Sequence, residues 1–355
     1  MFNYFTRKAA EVGSTNAKSL TLIFFLVSFL LMGCQQPKSK MEKYREAQAM
    51  MGTTASIDVC VDENNKERLE AAYSEVWKEL EDVAWRMNVF DSQSDVTQIN
   101  ESKGESVKIT STTYQVLEKS VYFNNLTQGA FDITVYPLIQ LWKESERKNQ
   151  WPVKEELARV KEFVGSKHIR FMGEDTIAFD QPFIKIDLGG IAAGFAIDEA
   201  AEIFRRHGIV NFYIDIGGDI YAGGHNCQGR PWRIGILDPR DRSKIMDVVE
   251  LTDAAVATSG HYEKYYTIQN ERWSHIINPM TGFPQKEVIS ATIITPTAIE
   301  ADALSTALCV LGPVEGIALT NRLNKGYASL IVTQETNKDI KRSESEEYRK
   351  YLTQP

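Results

Sequence analysis

The chain has 355 residues, of which 43% are hydrophobic and 25% are charged, and its formal net charge is −8. This composition is ordinary for a globular enzyme built as one large domain or two intergrown ones. The acidic balance argues against nucleic acid as the main partner, because contact with a phosphate backbone needs a basic surface. An anionic ligand would need local help from a metal ion or from backbone N–H groups.

Residues 1–33 have the pattern of a secretory signal peptide. Basic residues precede an apolar run at residues 20–32 that is too short to span a bilayer comfortably. The run ends in the letters LMGC, which resemble a bacterial lipobox with Cys34 as the lipidated residue; a plain signal anchor with an incidental cysteine is the alternative. We therefore expect residues 34–47 to form a polar tether in the cell envelope. The tether would hold a periplasm-facing protein to a membrane, with inner and outer membrane left open.

The first half of the fold is predicted to contain one strand and several helices. Residues 49–61 alternate in polarity and contain β-branched residues, which favours a strand. Residues 67–87 repeat apolar side chains at spacings of three and four, which indicates an amphipathic helix. A second helix is predicted at residues 110–127, with Thr110 or Ser111 as its N-cap. A charged, helical surface insertion follows at residues 151–164.

From residue 169 the pattern changes to strands and glycine turns. In residues 183–201 we predict a strand that ends at Asp187, then two glycines, then a helix that Gly208 closes. Glycines let a ligand approach the backbone and helix N-termini attract anions, so this segment is a candidate binding loop. The alternative is close packing of the helix on a sheet, with Gly194, Ala192 and Ala196 as the contact points. The segment is neither a Walker A loop nor GxGxxG.

A last helix is predicted at residues 298–311, and it carries Asp302 and Thr306 one turn apart. A carboxylate beside a hydroxyl suits a hard cation such as Mg²⁺, which takes oxygen ligands and shares its coordination with substrate phosphates. A solvated or capping pair is the alternative. Residues 336–355 are predicted to be a charged C-terminal tail. No domain boundary is visible after residue 48, so the fold class is α+β, with mixed strands, hairpins and helices in one unit.

Two further polar segments are candidates for chemistry. Thr258, Ser259 and Gly260 are predicted to form a turn that offers N–H groups and hydroxyls to a phosphate, or simply a helix start. His275 lies beside an apolar pair and is either a general base, with an ordinary pKa near 6.5, or a structural histidine. His261 competes with it by residue type alone.

Phe131 and Asp132 form a third candidate, since an aromatic ring beside a carboxylate can stack on a ligand ring and hydrogen-bond to it. The alternative is a core phenylalanine beside a capping aspartate. Cys60, Cys227 and Cys309 show no metal spacing and imply no disulfide framework.

Eight blocks of this sequence, taken in chain order, resemble the ApbE-type lipoproteins, which are FAD:protein FMN transferases. The blocks are MGTTASI, FDITVYPLIQLW, KIDLGGIAAGFAID, IDIGGDIYAGG, WRIGILDP, VATSGHYEKYY, SHIINPMTG and ADALSTALCVLG, within residues 48–335. The resemblance implies one FAD-binding catalytic domain. It also implies that FAD and Mg²⁺ are bound, that FMN is transferred to a Thr or Ser hydroxyl of a target protein, and that AMP leaves.

The resemblance also assigns residues. Asp302 and Thr306 match the metal ligands, with Ser305 beside them, and the Gly190 carbonyl matches a further ligand. His275 matches a base for the acceptor hydroxyl. The positions that contact FAD correspond to Met51, Phe90, Ala130, Phe131, Asp132, Asp187, Ala193 and Ile276.

Two departures from the family pattern leave alternatives open. Ala193 stands where relatives often carry Lys or another polar residue, so one contact to the nucleotide is absent. Asn278 replaces an Asp in the HIIDP pattern; it keeps the turn-forming side chain but loses the charge. The alternatives are a lipid-anchored FAD-binding protein without turnover and a Mg²⁺-dependent FAD pyrophosphatase.

Overall fold

An eight-stranded antiparallel sheet organises the part of the chain that this computed structural model describes, which is residues 40–260, 265–323, 326–335 and 339–353. The strands of this sheet stand in the order β1-β2-β6-β7-β10-β13-β14-β15. In chain order they are β1 (Met41–Met50), β2 (Thr53–Asp62), β6 (Phe212–Ile216), β7 (Asp219–Gly223), β10 (Ala254–Gly260), β13 (Val288–Thr295), β14 (Ala328–Gln334) and β15 (Ile340–Glu344).

The remaining strands form smaller sheets. They are β3 (Val107–Lys108), β4 (Ile169–Met172), β5 (Thr176–Phe179), β8 (Trp232–Asp238), β9 (Asp241–Leu251), β11 (Tyr265–Ile268) and β12 (Glu271–Ser274). The helices are α1 (Lys66–Arg86), α2 (Asp95–Glu101), α3 (Ser111–Leu126), α4 (Tyr136–Lys148), α5 (Lys154–Lys161), α6 (Ala192–Arg206) and α7 (Ala298–Arg322). This mixture confirms the predicted α+β class.

The two faces of the large sheet bury different layers, as the alternation of side chains along a strand requires. In β10, Ala255 and Ala257 belong to the main core, which includes the buried faces of α1, α6 and α7. The neighbouring Ala254 and Val256 belong to a second core with the hairpin β8–β9. The sheet thus has helices on one face and a hairpin on the other.

The helix predictions are largely confirmed. The predicted helix at residues 67–87 is α1, and its apolar stripe is buried. The Thr110 side chain accepts from Thr113 N–H and is the N-cap of α3. The charged helix predicted at residues 151–164 is the shorter α5. Helix α7 continues past the predicted residue 311 to Arg322, with a kink at Gly312, where φ is 72°.

Helix α7 is also apolar and long enough to cross a membrane by composition alone. It packs against β10, β13 and β14 instead, and the side chains along most of its first half are buried. Its apolar character is therefore that of a core helix.

The predicted tether and tail are both partly wrong. Residues 41–47, which we predicted as tether, lie in β1, which pairs with β2 along its whole length. Helix α1 fixes this strand, because the Tyr73 hydroxyl donates to Tyr44 O and Trp77 Nε1 donates to Glu46. At the other end, β15 pairs with β14 and Tyr348 is fully buried, so residues 340–353 belong to the fold. Residues 1–39, including Cys34, lie outside the described residues.

The expectation of no disulfide is wrong as well. Cys60 of β2 and Cys227 of the β7–β8 connection are joined, although 167 residues separate them. Sequence spacing carries no sign of this bond, because sheet pairing between distant strands brings the two cysteines together. Cys309 of α7 is buried, with its Sγ 3.4 Å from Ser259 O.

Candidate functional site

The candidate site forms where α6 crosses α7. At the crossing point Gly194 has no side chain, and a Cβ there would lie 2.4 Å from Ala298 O. The two helix backbones are therefore in direct contact. Gly194 is a close-packing position, as expected, but the packing partner is another helix and not the predicted sheet. Gly194 N–H donates to Asp302 Oδ2 over 3.0 Å, so the same contact orients the predicted metal ligand.

Asp302 is a carboxylate in a nearly solvent-free position, only 4% exposed. Burial raises the pKa of Asp302 to about 7. The hydrogen bond from the Gly194 N–H has the opposite and smaller effect on this pKa. Within the described part of the chain, the hydrogen bond from Gly194 is the one that reaches this carboxylate. Most oxygen lone pairs of this buried carboxylate accept no hydrogen bond from the described residues. Such a group is suited to binding a cation, because a neighbouring positive charge offsets the cost of burying the negative charge.

Two hydroxyls lie one turn further along α7 and meet a third from the sheet. Ser259 Oγ of β10 is 2.9 Å from Ser305 Oγ and 3.3 Å from Thr306 Oγ1. Ser305 Oγ also donates to Asp302 O, so Ser305 ties the helix to itself. The turn predicted at residues 258–260 is wrong, because these residues belong to β10 and pair with β13. Although the turn is absent, β10 places Ser259 beside Thr306 of the predicted metal pair.

Gly190 lies against the same group of hydroxyls. A Cβ on Gly190 would be 3.2 Å from Thr306 Oγ1 and 3.5 Å from Phe131 Cε2. The Gly190 backbone therefore passes close to both Thr306 and the Phe131 ring. Three predicted residues from distant parts of the chain are brought together here.

The segment that leads to Gly190 forms no strand, so the strand predicted to end at Asp187 is wrong. The side chain of Asn100 takes the place of a neighbouring strand: its Nδ2 donates to Ile186 O over 2.9 Å and its Oδ1 accepts from Ile186 N over 2.7 Å. Asp187 N then donates to Ile133 O, and Asp187 Oδ1 accepts from Gly189 N. One amide side chain, which sequence reasoning missed, thus holds the glycine segment.

The donor set fits a hard cation. Asp302 has a carboxylate and Thr306 a hydroxyl, and the Gly190 backbone, whose carbonyl is the third predicted ligand, passes beside Thr306. All three groups are oxygen ligands of the kind that Mg²⁺ prefers. The described residues contain no group of three or more His, Cys, Asp and Glu side chains placed to hold a metal. So few protein ligands would leave coordination positions for water and for oxygens of a substrate.

The predicted FAD-contacting residues occupy several elements. Ala130, Phe131 and Ile276 belong to the main core, and Met51 and Ala193 pack against it. Met51 lies on the β1–β2 turn with φ of 49°. Phe90 is 82% exposed, and Lys143 Nζ lies 5.8 Å from its ring centroid. The Phe131 ring lies beside the Gly190 position. Contacts of all these residues with FAD, Phe131 included, remain predictions.

Asp132 behaves as a capping residue. Its Oδ1 accepts from Thr134 N, Thr134 Oγ1 and Ser166 Oγ, and its Oδ2 accepts from Asn124 Nδ2 and Ser166 N. These five donors occupy the carboxylate. The geometry favours a core phenylalanine beside a capping aspartate over a side-chain contact to a ligand ring; a contact of Asp132 with FAD remains a prediction.

His275 follows β12 directly and is partly exposed. Its neighbours are fixed: Ile276 N donates to Ser274 Oγ, and Gln285 N donates to Ile276 O. Asn278 Oδ1 accepts from Met280 N and Thr281 N, which confirms the turn-forming role expected of Asn278. His275 therefore lies between the end of β12 and a hydrogen-bonded turn. Its role as a base remains a prediction, and the competing His261 lies outside the described residues.

Asp198 of α6 is a second residue that sequence reasoning missed. Its carboxylate accepts from the backbone N–H groups of Ala298 and Ile299, at the start of α7. Gly194 and Asp198 are one helical turn apart, which is visible in the sequence. The sequence does not show that the Asp198 carboxylate accepts from N–H groups of α7, because this contact depends on the packing of two helices that are distant in sequence.

Known proteins share both the sequence and the fold. The ApbE family matches residues 51–331. An FAD:protein FMN transferase of Vibrio cholerae serotype O1 is 33% identical over 295 residues, which cover 82% of this chain and 87% of that relative. Its namesake in Haemophilus influenzae is 31% identical over 80% of this chain and 85% of its own length.

Solved structures agree with these sequence matches. The structure of flavin transferase ApbE from Vibrio cholerae matches with a TM-score of 0.75 and 30% identity, covering 88% of this chain and 100% of that one. The ApbE protein of Thermotoga maritima matches with a TM-score of 0.77, 32% identity and the same coverage. By sequence and by fold, this chain belongs to the ApbE family.

Proposed function

We propose that this protein transfers the FMN part of FAD to a Thr or Ser hydroxyl of a target protein, that the transfer requires Mg²⁺, and that AMP leaves. Relatives that span most of this chain bear the name FAD:protein FMN transferase. The observation that carries the proposal is the oxygen cluster around Thr306, where α7, β10 and the Gly190 segment meet beside the buried Asp302. Such a cluster suits a cation that shares a diphosphate.

The proposed reaction exchanges one phosphorus–oxygen bond for another. The acceptor hydroxyl oxygen forms a bond to the phosphorus on the riboflavin side of FAD. The bond from that phosphorus to the bridging oxygen breaks, and AMP leaves with the bridging oxygen. The hydroxyl proton passes to His275. No redox partner is needed, and the product is a phosphoester-linked flavin.

Asp302, Thr306 and the Gly190 carbonyl would hold the cation, which, when bound, neutralises charge on the diphosphate and its leaving group. The protein contributes placement. The absent side chain at Gly190 leaves the backbone open beside Thr306, and burial of Asp302 strengthens its electrostatic interactions. A positioned base at His275 typically contributes about 10²–10⁴-fold. Loss of the cation should therefore reduce the rate more than loss of His275.

One assay separates the proposal from its alternatives. The full chain in detergent is mixed with FAD, Mg²⁺ and a candidate acceptor peptide that contains Thr and Ser, and the products are separated. Covalent flavin fluorescence on the peptide supports the transferase. Free FMN without labelled peptide identifies a pyrophosphatase, and tightly bound, unchanged FAD identifies a binding protein. The last two results contradict the proposal.

We also propose that the protein is exported and anchored to a membrane of the cell envelope through a lipid on Cys34. The LMGC sequence supports this, and so does the Cys60–Cys227 disulfide, since such bonds persist in oxidising compartments outside the cytosol. Replacing Cys34 with Ser should move the protein from the membrane fraction to the soluble fraction and remove incorporation of labelled fatty acid. Unchanged fractionation and labelling would exclude this anchor.

A further inference from the structure

Helix α7, which carries Asp302 and Thr306, lacks the cap that its own sequence offers. The first turn of a helix leaves backbone N–H groups without partners inside the helix, and a Ser, Thr, Asp or Asn at the N-cap usually accepts one of them. Thr297 occupies the N-cap position of α7, but its side chain makes no capping hydrogen bond. Its Oγ1 donates instead to Glu300 Oε2 over 2.9 Å.

The cap is supplied by another helix. Asp198 of α6 accepts from Ala298 N at Oδ1 over 2.8 Å and from Ile299 N at Oδ2 over 2.9 Å. Both oxygens of one carboxylate are thus used on two successive N–H groups. A negative charge at a helix N-terminus is favourable, because the N–H groups there carry partial positive charge.

The two helices make the same kind of contact in both directions. Gly194 and Asp198 are one turn apart on α6, while Ala298 and Asp302 are one turn apart on α7. The Gly194 N–H donates to the Asp302 carboxylate, and the Ala298 N–H donates to the Asp198 carboxylate. We call these two contacts the reciprocal clamp. It surrounds the point where the Gly194 and Ala298 backbones meet.

We infer that Asp198 is a positioning residue for the cation site, acting through the first turn of α7. This inference rests on the proposed function, because it assigns Asp198 a role in the same site. The Gly194 bond fixes Asp302 from one side. The Asp198 bonds fix the rotation and the axial position of the turn before it. Together they hold Thr306 opposite Ser259 and Gly190.

The other charged groups near Asp198 do not replace this role. Glu300 lies on the first turn of α7, but its carboxylate accepts from Thr297 Oγ1 and from the Tyr327 hydroxyl. Arg205, about two turns after Asp198 on α6, donates to the Tyr221 hydroxyl. Asp198 is thus the carboxylate that links α6 to the start of α7.

The test compares Asp198→Asn with a matched control, Asp95→Asn. Asp95 of α2 also accepts from the start of another helix, through Thr110 N and the Thr110 and Thr113 hydroxyls at α3, which carries none of the proposed ligands. Mg²⁺ is titrated calorimetrically into the full chain saturated with FAD, without acceptor. FAD affinity without metal is measured separately by flavin fluorescence.

An asparagine keeps one acceptor but turns an N–H₂ donor toward the second backbone N–H, so the start of α7 must shift. We expect Asp198→Asn to raise the Kd for Mg²⁺ at least about tenfold, as loss of outer support for a metal site typically does. The metal-free Kd for FAD should stay within about twofold. In Asp95→Asn both constants should stay within about twofold of the unaltered protein.

A second variant separates capping from positioning. Asp198→Ala combined with Thr297→Asn gives α7 a cap of its own but no link to α6. We expect its thermal unfolding midpoint to rise above that of Asp198→Ala alone, while the Kd for Mg²⁺ stays raised at least about tenfold. Unchanged Mg²⁺ affinity in Asp198→Asn, or restored affinity in the double variant, overturns the inference. Absence of Mg²⁺ binding by the unaltered, FAD-saturated protein overturns the proposed function itself.

Discussion

Replacing Gly194 with Ala tests whether the contact between α6 and α7 sets the geometry of the site. The added Cβ would lie 2.4 Å from Ala298 O and 2.7 Å from both Ala298 C and Ile299 Cα. All three are backbone atoms, so no side-chain rotation can make room. Ordinary contact begins near 3.4 Å, so the two helices must separate by about 1 Å at the crossing.

The expected loss of activity is larger than the expected loss of stability. Overpacking of this kind costs about 1–3 kcal/mol, and replacing a helical glycine by alanine returns about 1 kcal/mol. The net loss in the free energy of unfolding is therefore about 0–2 kcal/mol. A displacement of about 1 Å between Asp302 and the Gly190 segment can reduce the transfer rate about 10²-fold, because the reacting groups lose their alignment.

Gly316→Ala is the matched control, since Gly316 lies in α7 beyond the kink. Its added Cβ would lie 2.7 Å from Ile331 Cδ1 and 3.0 Å from Leu308 Cδ2, which are ends of flexible side chains. We expect this variant to keep its activity and to change in stability by less than about 1 kcal/mol. Thermal unfolding and covalent flavin transfer are measured for both variants. Full transfer activity in Gly194→Ala would refute the argument that the helix contact sets the site.

Three further predictions follow from particular contacts. His275→Ala should slow transfer about 10²–10⁴-fold with FAD affinity unchanged; equal loss of both, by fluorescence titration, would point to a structural histidine. Replacing Cys60 and Cys227 by Ser should lower the free energy of unfolding by about 3–5 kcal/mol, because the bond closes a long loop; denaturant melts that coincide would contradict this. Burial raises the pKa of Asp198 to about 6 from its ordinary 3.8. The free energy of unfolding of the metal-free protein should therefore fall by up to about 3 kcal/mol between pH 4 and 6. Parallel pH–stability curves for the unaltered protein and Asp198→Asn would contradict this prediction.

The sign of the last prediction follows from proton binding. Above its ordinary pKa the unfolded Asp198 has released its proton, while the folded one retains it up to about pH 6. Stability falls with pH wherever the folded state holds more protons, so this group's contribution is greatest below about pH 4 and constant above about pH 7. Asparagine does not titrate and should remove that part of the slope.

Local periodicity was sufficient to predict several of the helices and one candidate pair of metal ligands, although α2 and α4 were not predicted. The stripe of α1 and the N-cap at Thr110 depend on spacings within one helix, and so does the pair Asp302 and Thr306. These features depend on residues close together in the sequence, so the helical period of 3.6 residues is sufficient to predict them. A resemblance in eight ordered blocks then supplied the family.

Features that depend on contacts between distant residues could not be predicted in this way. The segment before Gly190 has the apolar alternation of a strand, but Asn100, 86 residues earlier, occupies the place of a neighbouring strand. Cys60 and Cys227 meet only because the sheet brings them together. The polar sequence of β1 favoured the prediction of a tether. This edge strand is mostly exposed, so its sequence lacks the alternation of apolar and polar residues that indicates a strand with one buried face.

Ser259 and Asp198 show the same limit at the site itself. The letters around Ser259 favoured a turn, and only its pairing in β10 shows that the hydroxyl faces Thr306. Asp198 lies within an ordinary amphipathic helix, and nothing near it in sequence reveals that it caps α7. Both residues are defined by the packing of elements about 45–100 residues apart.

The most direct test of the account is covalent flavin transfer by the unaltered protein and by Asp302→Ala, each titrated with Mg²⁺ and read by mass spectrometry of the acceptor. The account predicts that the unaltered protein adds one FMN per modified hydroxyl only when Mg²⁺ is present, and that Asp302→Ala adds none while it still unfolds cooperatively. Transfer at the full rate by a folded Asp302→Ala, or by the unaltered protein in excess chelator, would contradict it.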